Sequence, residues 1–250
     1  MSLPFKHTAS VLYDAALALV YPQACAVCHA SVESRADGVA CASCWRRTRI
    51  YAGDETVCWK CGMEAAGVVW KEQRMDVRCG RCDEEAFTAA RACGVYEGAL
   101  RASILALKRE PHVAARLTHL LAQTQQREPL HTAQLIVPVP LHLERARERG
   151  FNQAAELGRA LASRTGLELD EWSLVRTTHT GRRRAGMDAR SRRESVAGAF
   201  AVTRPRMIEG ARVLLIDDVF TTGATVSACA LALKASGAQE VFVLTAARPV

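Results

Sequence analysis

The sequence lacks any apolar run long enough to cross a membrane, and only 6% of its 250 residues are aromatic. A membrane-spanning helix needs about 20 consecutive apolar residues, so the sequence predicts no membrane span. The short apolar stretch near the N-terminus contains Asp14 and leads directly into the first cysteines. This arrangement favours a helix of the fold over a secretory signal peptide. We therefore expect a cytoplasmic protein.

Lysine is scarce, whereas arginine is abundant. The formal net charge is +7, yet lysine occurs only at Lys6, Lys60, Lys71, Lys108 and Lys234. Arginine suits planar, bidentate partners such as phosphate, although a GC-rich genome would produce the same bias. The charge alone is compatible with a phosphate-bearing ligand and with an ordinary solvated surface.

The sequence also lacks the GxxxxGK[ST] pattern that cradles nucleotide phosphates in P-loop proteins. The strand "LLIDD" could otherwise belong to an NTPase, in which acidic residues follow a buried strand. Without the phosphate cradle, that interpretation is excluded.

Cysteine, by contrast, is clustered in four CxxC pairs. A CxxC knuckle turns tightly enough to direct two thiolates at one ion, and two knuckles complete a tetrahedral zinc site. Four pairs at this spacing predict two structural zinc ions, with an iron–sulfur cluster or a disulfide scaffold as the alternatives. The pairs can combine sequentially or in a cross-braced order, with a mild preference for the sequential one. The predicted ligands are Cys25, Cys28, Cys41, Cys44, Cys58, Cys61, Cys79 and Cys82.

This cysteine-rich region contains few long apolar runs, so metal binding has to supply much of its folding energy. The two remaining cysteines, Cys93 and Cys229, stand on apolar segments. Both are predicted to be buried and chemically inert thiols.

The rest of the chain has an α/β pattern. Strand-like runs are predicted at 91–96, within "AQLIVPVP", at "RVLLIDD" and at "EVFVLTAARPV", with helical periodicity between them. Strand, helix and strand at this spacing predict a doubly wound parallel sheet. We divide the chain into residues 1–86, an N-terminal helix with a double zinc ribbon, and residues 87–250, the α/β domain.

The stretch "RVLLIDDVFTTGAT" places two carboxylates and a small, hydroxyl-rich turn at the end of one strand. A helix that begins after small residues presents backbone N–H groups to a phosphate. Carboxylates beside an anion site would repel it unless they faced sugar hydroxyls or a divalent cation. The stretch therefore predicts a site for a phosphorylated sugar.

The same stretch resembles the signature of type I phosphoribosyltransferases. Phe220 is a bulky occupant of a position that is usually aliphatic in this signature. Together with "VPVPLHLERARERGFNQAAELGRALA", "VYEGALRASILALK" and the CxxC pairs, it resembles the ComF family of competence-associated proteins. The resemblance covers almost the whole chain and implies a type I phosphoribosyltransferase domain that binds PRPP with Mg2+.

Carried over by position, the resemblance implies a catalytic and ribose-binding role for Asp217 and Asp218. It implies 5-phosphate binding by the turn of Thr221, Thr222, Gly223, Ala224 and Thr225. Arg147 and Arg149, in a predicted polar loop that also contains Arg145, Gly150 and Asn152, would lie near the pyrophosphate. A solvated loop is the alternative for these arginines, since Glu144 and Glu148 are interleaved with them.

A second arginine-rich stretch occupies the position of the flexible catalytic loop of the family. A glutamine and an asparagine that are usual there are replaced in this chain, which puts the acceptor and the activity in question. The loop could close over PRPP or grip a nucleic-acid backbone. Its arginines are Arg182, Arg183, Arg184, Arg190, Arg192 and Arg193.

Two functions are compatible with these residues. The first is a PRPP-dependent transferase linked to DNA uptake or utilisation. The second is a nucleic-acid-binding competence accessory protein that keeps PRPP binding without transfer, with single-stranded DNA and DNA-uptake proteins as partners. The intact acidic pair favours retained PRPP binding in either case.

Overall fold

The computed structural model describes residues 23–177 and 198–250, apart from the side chains of Lys71 and Leu143. The predicted N-terminal helix and the stretch from Arg182 to Arg193 lie outside the described residues. None of the helices within the described ranges combines the length and the apolar composition that a bilayer crossing requires.

The cysteine-rich part contains little regular structure, as its shortage of apolar runs predicts. Its helical segments are the 3-10 helix Arg35–Asp37, the α-helix α1 (Ala42–Arg47) and the 3-10 helix Lys71–Asp76. Isolated antiparallel bridges, Ala24 to Ser31 and Val57 to Glu64, flank the first knuckle of each half. Each half of the cysteine-rich part therefore begins with a short hairpin that is closed by one antiparallel bridge.

From Ala89 onward the chain alternates strands and helices. In chain order, they are β1 (Ala89–Val95), α2 (Gly98–Leu107), α3 (Ala115–Gln125), the 3-10 helix Leu130–Thr132, β2 (Leu135–Pro138), α4 (Leu143–Arg149), α5 (Gln153–Thr165), β3 (Glu168–Leu169), β4 (Leu174–Arg176), β5 (Phe200–Val202), α6 (Pro205–Ile208), β6 (Arg212–Val219), α7 (Ala224–Ala235) and β7 (Glu240–Arg248).

Five of the strands form one sheet, in the order β1-β7-β6-β2-β3. Every pairing within this sheet is parallel, whereas β4 and β5 form a separate antiparallel pair. The predicted parallel α/β sheet is confirmed. Since all five strands point the same way, their carboxyl ends meet at one edge, where ligands bind in such folds.

The sheet is buried on both faces, which explains the unbroken apolar run in β6. Val213 and Leu215 pack in one cluster with residues of α7, and Leu214 and Ile216 pack in another with residues of α2, α3 and α5. Successive side chains of a strand point to opposite faces, so a strand covered on both sides needs apolar residues throughout.

The predicted arginine-rich loop after β2 is wrong in part, because most of it is the helix α4. The residues of "LERARER" are good helix formers. The His142 side chain accepts a hydrogen bond from the Glu144 N–H at its start, and Gly150 ends it in the left-handed conformation. Local capping, rather than long apolar periodicity, defines this short helix.

The cysteine-rich part covers the outer edge of β1, which is an edge strand of the sheet. Ile50 forms an antiparallel bridge with Gly94, and the Tyr51 N–H donates to the Cys93 carbonyl at 2.9 Å. The Val95 N–H donates in turn to the Arg49 carbonyl at 2.9 Å. The division at residues 86 and 87 stays a prediction, and the two parts pack closely across it.

Candidate metal centres and phosphate site

The eight predicted cysteine ligands form two separate groups of four. Each group brings its four Sγ atoms within 4.8 Å of one another. The first group contains the first and second knuckles and the second group the third and fourth, which settles the open pairing as sequential. The groups are Cys25, Cys28, Cys41 and Cys44, and Cys58, Cys61, Cys79 and Cys82.

The spacing of the sulfur atoms fits zinc. Cys25 and Cys44 are separated by 3.8 Å between their Sγ atoms, and Cys58 and Cys82 by 3.6 Å. A Zn–S bond of about 2.3 Å gives a tetrahedral edge of about 3.8 Å. All four positions of each site are supplied by the protein, which is the composition of a structural rather than a catalytic zinc site.

Backbone N–H groups stabilise the thiolate form of the first cysteine in each site. Burial opposes ionisation of Cys25, but N–H groups of Cys41, Cys28 and Val27 point at its sulfur and lower its pKa. The distances from Sγ are 3.3 Å to the Cys41 nitrogen and 3.4 Å to the Val27 nitrogen. At Cys58 burial is again outweighed by backbone donors, and its pKa is lowered. One thiol in each site is therefore the first to ionise. Neighbouring thiols and burial raise the pKa of Cys44, and burial and neighbouring thiols raise the pKa values of Cys61 and Cys82, so a bound cation would be needed to favour all the thiolates.

The knuckle of Cys58 and Cys61 is bound directly to the sheet. Three consecutive carbonyls of this knuckle accept hydrogen bonds from the strands beneath it. Arg91 Nη1 donates to the Trp59 carbonyl at 2.8 Å, and the Ala90 N–H donates to the Lys60 carbonyl at 2.7 Å. The third bond reaches the Cys61 carbonyl from the end of β7. The second metal site and the sheet therefore form one continuous structure.

Asp217 and Asp218 lie at the carboxyl end of β6, in the middle of the sheet. Asp218 is only 8% exposed, while Asp217 keeps partial contact with solvent. The Asp218 N–H donates to Asp217 Oδ1 at 2.8 Å. Burial and the neighbouring Asp218 carboxylate raise the pKa of Asp217 well above its ordinary value.

Lys108 provides a positive charge beside the acidic pair. Its Nζ lies 2.9 Å from Asp218 Oδ2, so the two side chains form an ion pair. The contact does not have the geometry of a hydrogen bond, and Asp218 Oδ2 has no hydrogen-bond partner among the described residues. Lys108 directly follows α2 and also acts to lower the pKa of Asp217. The pair is thus partly neutralised within the protein.

The turn after β6 leads into α7 as the sequence predicted. Gly223 has φ +80° and stands at the N-cap of α7, where it has no side chain to cap the helix. Thr221 is exposed, Thr222 and Thr225 are half-buried, and Gly223 and Ala224 are buried. The structure therefore places a helix N-terminus and three threonines directly after the two acids.

The segment after β2 returns to the same edge of the sheet. The Val139 N–H donates to the Ile216 carbonyl at 3.0 Å, immediately before Asp217. Asn152 Nδ2 donates to the Val139 carbonyl at 3.0 Å, and Asn152 Oδ1 caps α5. These hydrogen bonds hold the segment after β2 against β6, next to Asp217.

The predicted arginines of this segment lie on α4. Arg145 and Arg147 are exposed, whereas Arg149 is half-buried and donates to Gln153 Oε1 at 2.8 Å. Arg147 therefore extends into solvent, while Arg149 already has a partner on α5.

The aromatic residues of the zinc region differ sharply in exposure. Trp45 and Tyr51 are buried, at 2% and 7% exposure, whereas Trp70 is 78% exposed. Trp59 is half-buried and lies against Arg91, whose guanidinium carbon is 5.0 Å from the ring centroid. The predicted burial of Cys93 and Cys229 is confirmed, with both thiols fully enclosed.

Sequence reasoning assigned no role to Lys108 or to Arg248. Lys108 was detectable as one of the few lysines in an arginine-rich chain, at the end of a helix that precedes a candidate site. Arg248 offered a weaker signal, a charged residue that ends a strongly apolar strand. Their positions become informative only in the folded chain, in which Lys108 contacts Asp218 and Arg248 contacts Phe220 at the start of the turn.

Residues 16–83 match the family model of the double zinc ribbon domain. The chain is 30% identical to the DNA utilization protein YhgH of Escherichia coli strain K12 over 233 residues, which cover 90% of this chain and 96% of that protein. It is 28% identical to Competence protein F of Haemophilus influenzae, with the same coverage of both chains.

Among solved structures, a glutamine PRPP amidotransferase from B. subtilis aligns with 52% of this chain and 25% of its own at 24% identity. Its TM-score is 0.35, too low to carry an argument. The relatives align across nearly their whole length. By this similarity, the chain belongs to the ComF family of competence and DNA utilization proteins.

Proposed function

We propose that this protein binds PRPP together with Mg2+ at the carboxyl edge of its parallel sheet and transfers the phosphoribosyl group. One observation carries the proposal. Two acids end the central strand β6 beside a lysine, and the next residues form a turn that opens directly into the N-terminus of α7.

Different residues of the site suit the phosphate and the ribose hydroxyls of PRPP. The amide groups of the turn and the threonine hydroxyls suit the 5-phosphate, since a helix N-terminus favours an anion. Asp217 and Asp218 suit the ribose hydroxyls as hydrogen-bond acceptors. Lys108, 2.9 Å from Asp218, reduces the negative charge that would otherwise repel the phosphate.

The acidic pair also fits a divalent cation near the sugar. Carboxylate oxygens are ligands that Mg2+ prefers, and Asp217 is partly exposed, whereas Asp218 Oδ2 already forms an ion pair with Lys108. When bound, Mg2+ would neutralise charge on the pyrophosphate oxygens during transfer.

In the reaction, the bond from C1 of the ribose to the pyrophosphate oxygen breaks, and its electron pair leaves with pyrophosphate. A nitrogen lone pair of the acceptor forms the new bond to C1 and the nitrogen releases a proton to solvent. Asp217 and Asp218 orient the ribose, and Arg147 and Arg149 lie on the element assigned to the pyrophosphate. Guanidinium groups suit this polyanion because they bind its oxygens in pairs.

The names of the relatives suggest where this chemistry is used. The YhgH proteins are described as DNA utilization proteins, and two others as competence proteins. We propose that the acceptor is a nucleobase, free or within single-stranded DNA, and that the protein acts in uptake or reuse of DNA in the cytoplasm.

Calorimetry with PRPP and Mg2+ tests the donor site. We expect the wild type to bind, and Asp217→Asn with Asp218→Asn to bind at least about a hundredfold more weakly, because each charged hydrogen bond contributes about 1.5–3 kcal/mol. Asp37→Asn is the matched control. It also removes a mostly buried acid from an ion pair, with Arg116 at 2.8 Å, but away from the sheet edge.

A wild type that does not bind PRPP, or a double variant that binds as tightly as the wild type, would refute the donor site. Release of pyrophosphate across a panel of bases and single-stranded DNA then tests transfer. If PRPP binds but no acceptor leads to release of pyrophosphate, the protein would be an accessory PRPP-binding protein and not a transferase.

Nucleic-acid binding is the second candidate, and the exposed ring of Trp70 favours it. Base stacking on an aromatic ring is worth about 1–3 kcal/mol per base, and Trp70 projects from the second zinc ribbon into solvent. We expect Trp70→Ala to weaken binding of single-stranded DNA about tenfold, whereas the buried Trp45 serves no such role.

The six arginines from Arg182 to Arg193 are proposed to supply the phosphate contacts. Replacing them with glutamine should reduce the steepness with which affinity falls as salt rises. A salt-insensitive affinity, or no detectable binding, would contradict this candidate.

A further inference from the structure

Phe220 and Arg248 connect the candidate phosphate turn to the second four-cysteine site. Phe220 is the first residue after β6, and Arg248 is the last residue of β7. The two strands are paired, and the Phe220 N–H extends the pairing by donating to the Ala247 carbonyl at 2.9 Å. Both side chains are enclosed, at 7% and 8% exposure.

The buried guanidinium of Arg248 contacts both neighbours. Its Nη1 donates to the Cys61 carbonyl at 2.7 Å, and its Cζ lies 5.3 Å from the centroid of the Phe220 ring. A cation over an aromatic face is attracted by the negative charge of the ring face, and the attraction is stronger when the pair is shielded from water. Arg248 thus joins a metal-binding residue to the first residue of the turn.

Phe220 in turn supports the glycine at which α7 begins. A Cβ added at Gly223 would lie 2.9 Å from the ring carbon Cζ of Phe220, so the ring touches the turn from below. The Phe87 ring packs nearly perpendicular to the Phe220 ring, with centroids 5.9 Å apart and an angle of 84° between the planes. A smaller side chain at position 220 would leave the turn without this support.

A second contact joins the end of the zinc ribbon to the first turns of α7. The Ala86 N–H donates to Ser227 Oγ at 2.9 Å, and the Ser227 N–H donates to the Gly223 carbonyl at 2.8 Å. Ala86 follows closely after Cys82, the last ligand of the second site. Two independent routes therefore lead from this site to the N-terminus of α7.

We propose that Arg248 and Phe220 are positioning residues through which the second four-cysteine site holds the phosphate turn in its binding conformation. The proposal rests on the proposed PRPP site and adds to it a dependence on this zinc ribbon. It also gives a reason for the bulky residue in a signature position that is usually aliphatic. The first four-cysteine site packs in the other core cluster, so we expect its influence on the turn to be small.

Calorimetry with PRPP and Mg2+ tests Arg248→Ala, Arg248→Lys and Phe220→Leu in the full chain. We expect Arg248→Ala and Phe220→Leu to bind PRPP about tenfold more weakly, because both variants lose the cation–aromatic contact and Arg248→Ala also loses the buried hydrogen bond to Cys61. Arg248→Lys keeps a charge near the ring and should recover part of the affinity. Elemental analysis should still find two zinc ions in every variant.

Arg212→Ala is the matched control. Arg212 begins β6, at the opposite edge of the sheet, and its Nε also donates to a backbone carbonyl, that of Thr132, at 2.7 Å. Its replacement should lower the melting temperature to a similar degree while leaving PRPP affinity unchanged.

Hydrogen exchange of the amides at 221–226 provides a readout that needs no ligand. Exchange there should rise in Arg248→Ala and Phe220→Leu, but not in Arg212→Ala. Unchanged affinity and unchanged exchange in the first two variants, or equal losses in Arg212→Ala, would overturn the positioning roles while PRPP binding stands. A wild type that does not bind PRPP would instead overturn the proposed function, and the positioning of a phosphate site with it.

Discussion

Lys108 lies beside the acidic pair although the two belong to distant parts of the sequence. The ion pair with Asp218 is only partly exposed, with 29% of the lysine side chain and 12% of the aspartate side chain accessible. This positive charge also opposes the rise in the pKa of Asp217 that burial and Asp218 cause. Lys108 therefore helps to keep Asp217 ready to accept hydrogen bonds from a sugar.

Replacing this lysine should change the pH dependence of ligand binding. Lys108→Met removes a charge that lowers the pKa of Asp217, so that pKa rises further. Because binding requires the ionised acid and is lost as pH falls through its pKa, the loss should begin at a higher pH in the variant than in the wild type. PRPP affinity measured from pH 5 to 9 checks this, with the exposed Lys234→Met as control. Superimposable profiles for Lys108→Met and the wild type would contradict it.

Asp217 should also make the stability of the protein depend on pH. Its pKa is raised in the folded state by burial and by Asp218, so the folded protein holds this proton more tightly than the unfolded chain does. The resulting stabilisation is complete below the unfolded pKa and is lost as pH rises through the raised folded value.

Asp217→Asn mimics the protonated acid and should therefore stabilise the protein at neutral and higher pH. We expect a gain in the free energy of unfolding at pH 8, which shrinks as pH is lowered through the raised pKa of Asp217, because the wild-type acid is then protonated as well. Urea unfolding at several pH values measures it. As a control, Asp37→Asn breaks an ion pair elsewhere and should destabilise the protein at pH 8. A loss of stability in Asp217→Asn at pH 8 would show that the charge of Asp217 is not unfavourable in the folded protein.

At the scale of elements, the third cysteine knuckle depends on its contact with β1. Gly62 follows Cys61 with φ +68°, and a Cβ there would lie 2.6 Å from the Ala90 carbonyl oxygen. Gly80 follows Cys79 in the same site with φ +70°, but faces open space. The two glycines share the left-handed conformation and differ in what lies beside them.

This difference allows the contact with the sheet to be separated from backbone strain. Gly80→Ala should cost about 1 kcal/mol, the ordinary penalty for a side chain in this conformation. Gly62→Ala should cost several kcal/mol more and should weaken zinc retention, because the knuckle has to move away from β1. Thermal unfolding and zinc content measure both effects, and equal costs in the two variants would mean that the knuckle is not bound tightly to the strand.

Across the whole molecule, the two zinc sites and the sheet share their hydrophobic cores. Cys25, Cys44 and Trp45 pack in one cluster with Leu214. Cys58, Cys82 and Phe87 pack in the other with Val213. Each zinc site therefore covers a different face of the same sheet, and neither half of the molecule buries its apolar surface alone.

Zinc removal should for this reason destabilise the entire molecule. We expect one thermal transition in calorimetry, and a chelator that removes zinc should lower its midpoint by more than about 10 °C. Re-adding zinc should restore the original midpoint. A second, zinc-independent transition for residues 87–250 would instead show that the α/β part folds separately.

Much of this architecture follows from short stretches of sequence. The CxxC spacing determines that two thiolates meet at one ion, and the run before Asp217 determines a strand buried on both faces. The acids, the turn and the start of α7 are contiguous, so their proximity requires no knowledge of the fold. The helix α4 was missed because its polar residues have no apolar period, and only its capping residues mark its limits.

The tertiary structure decided how distant parts combine. Only the folded chain shows that the knuckles pair sequentially, that Lys108 reaches Asp218, and that Arg248 reaches a carbonyl 187 residues away at Cys61. Local patterns report the chemistry of neighbours along the chain. The order β1-β7-β6 brings the last strand between the first and the acidic one, and that order depends on how all the apolar faces are buried together.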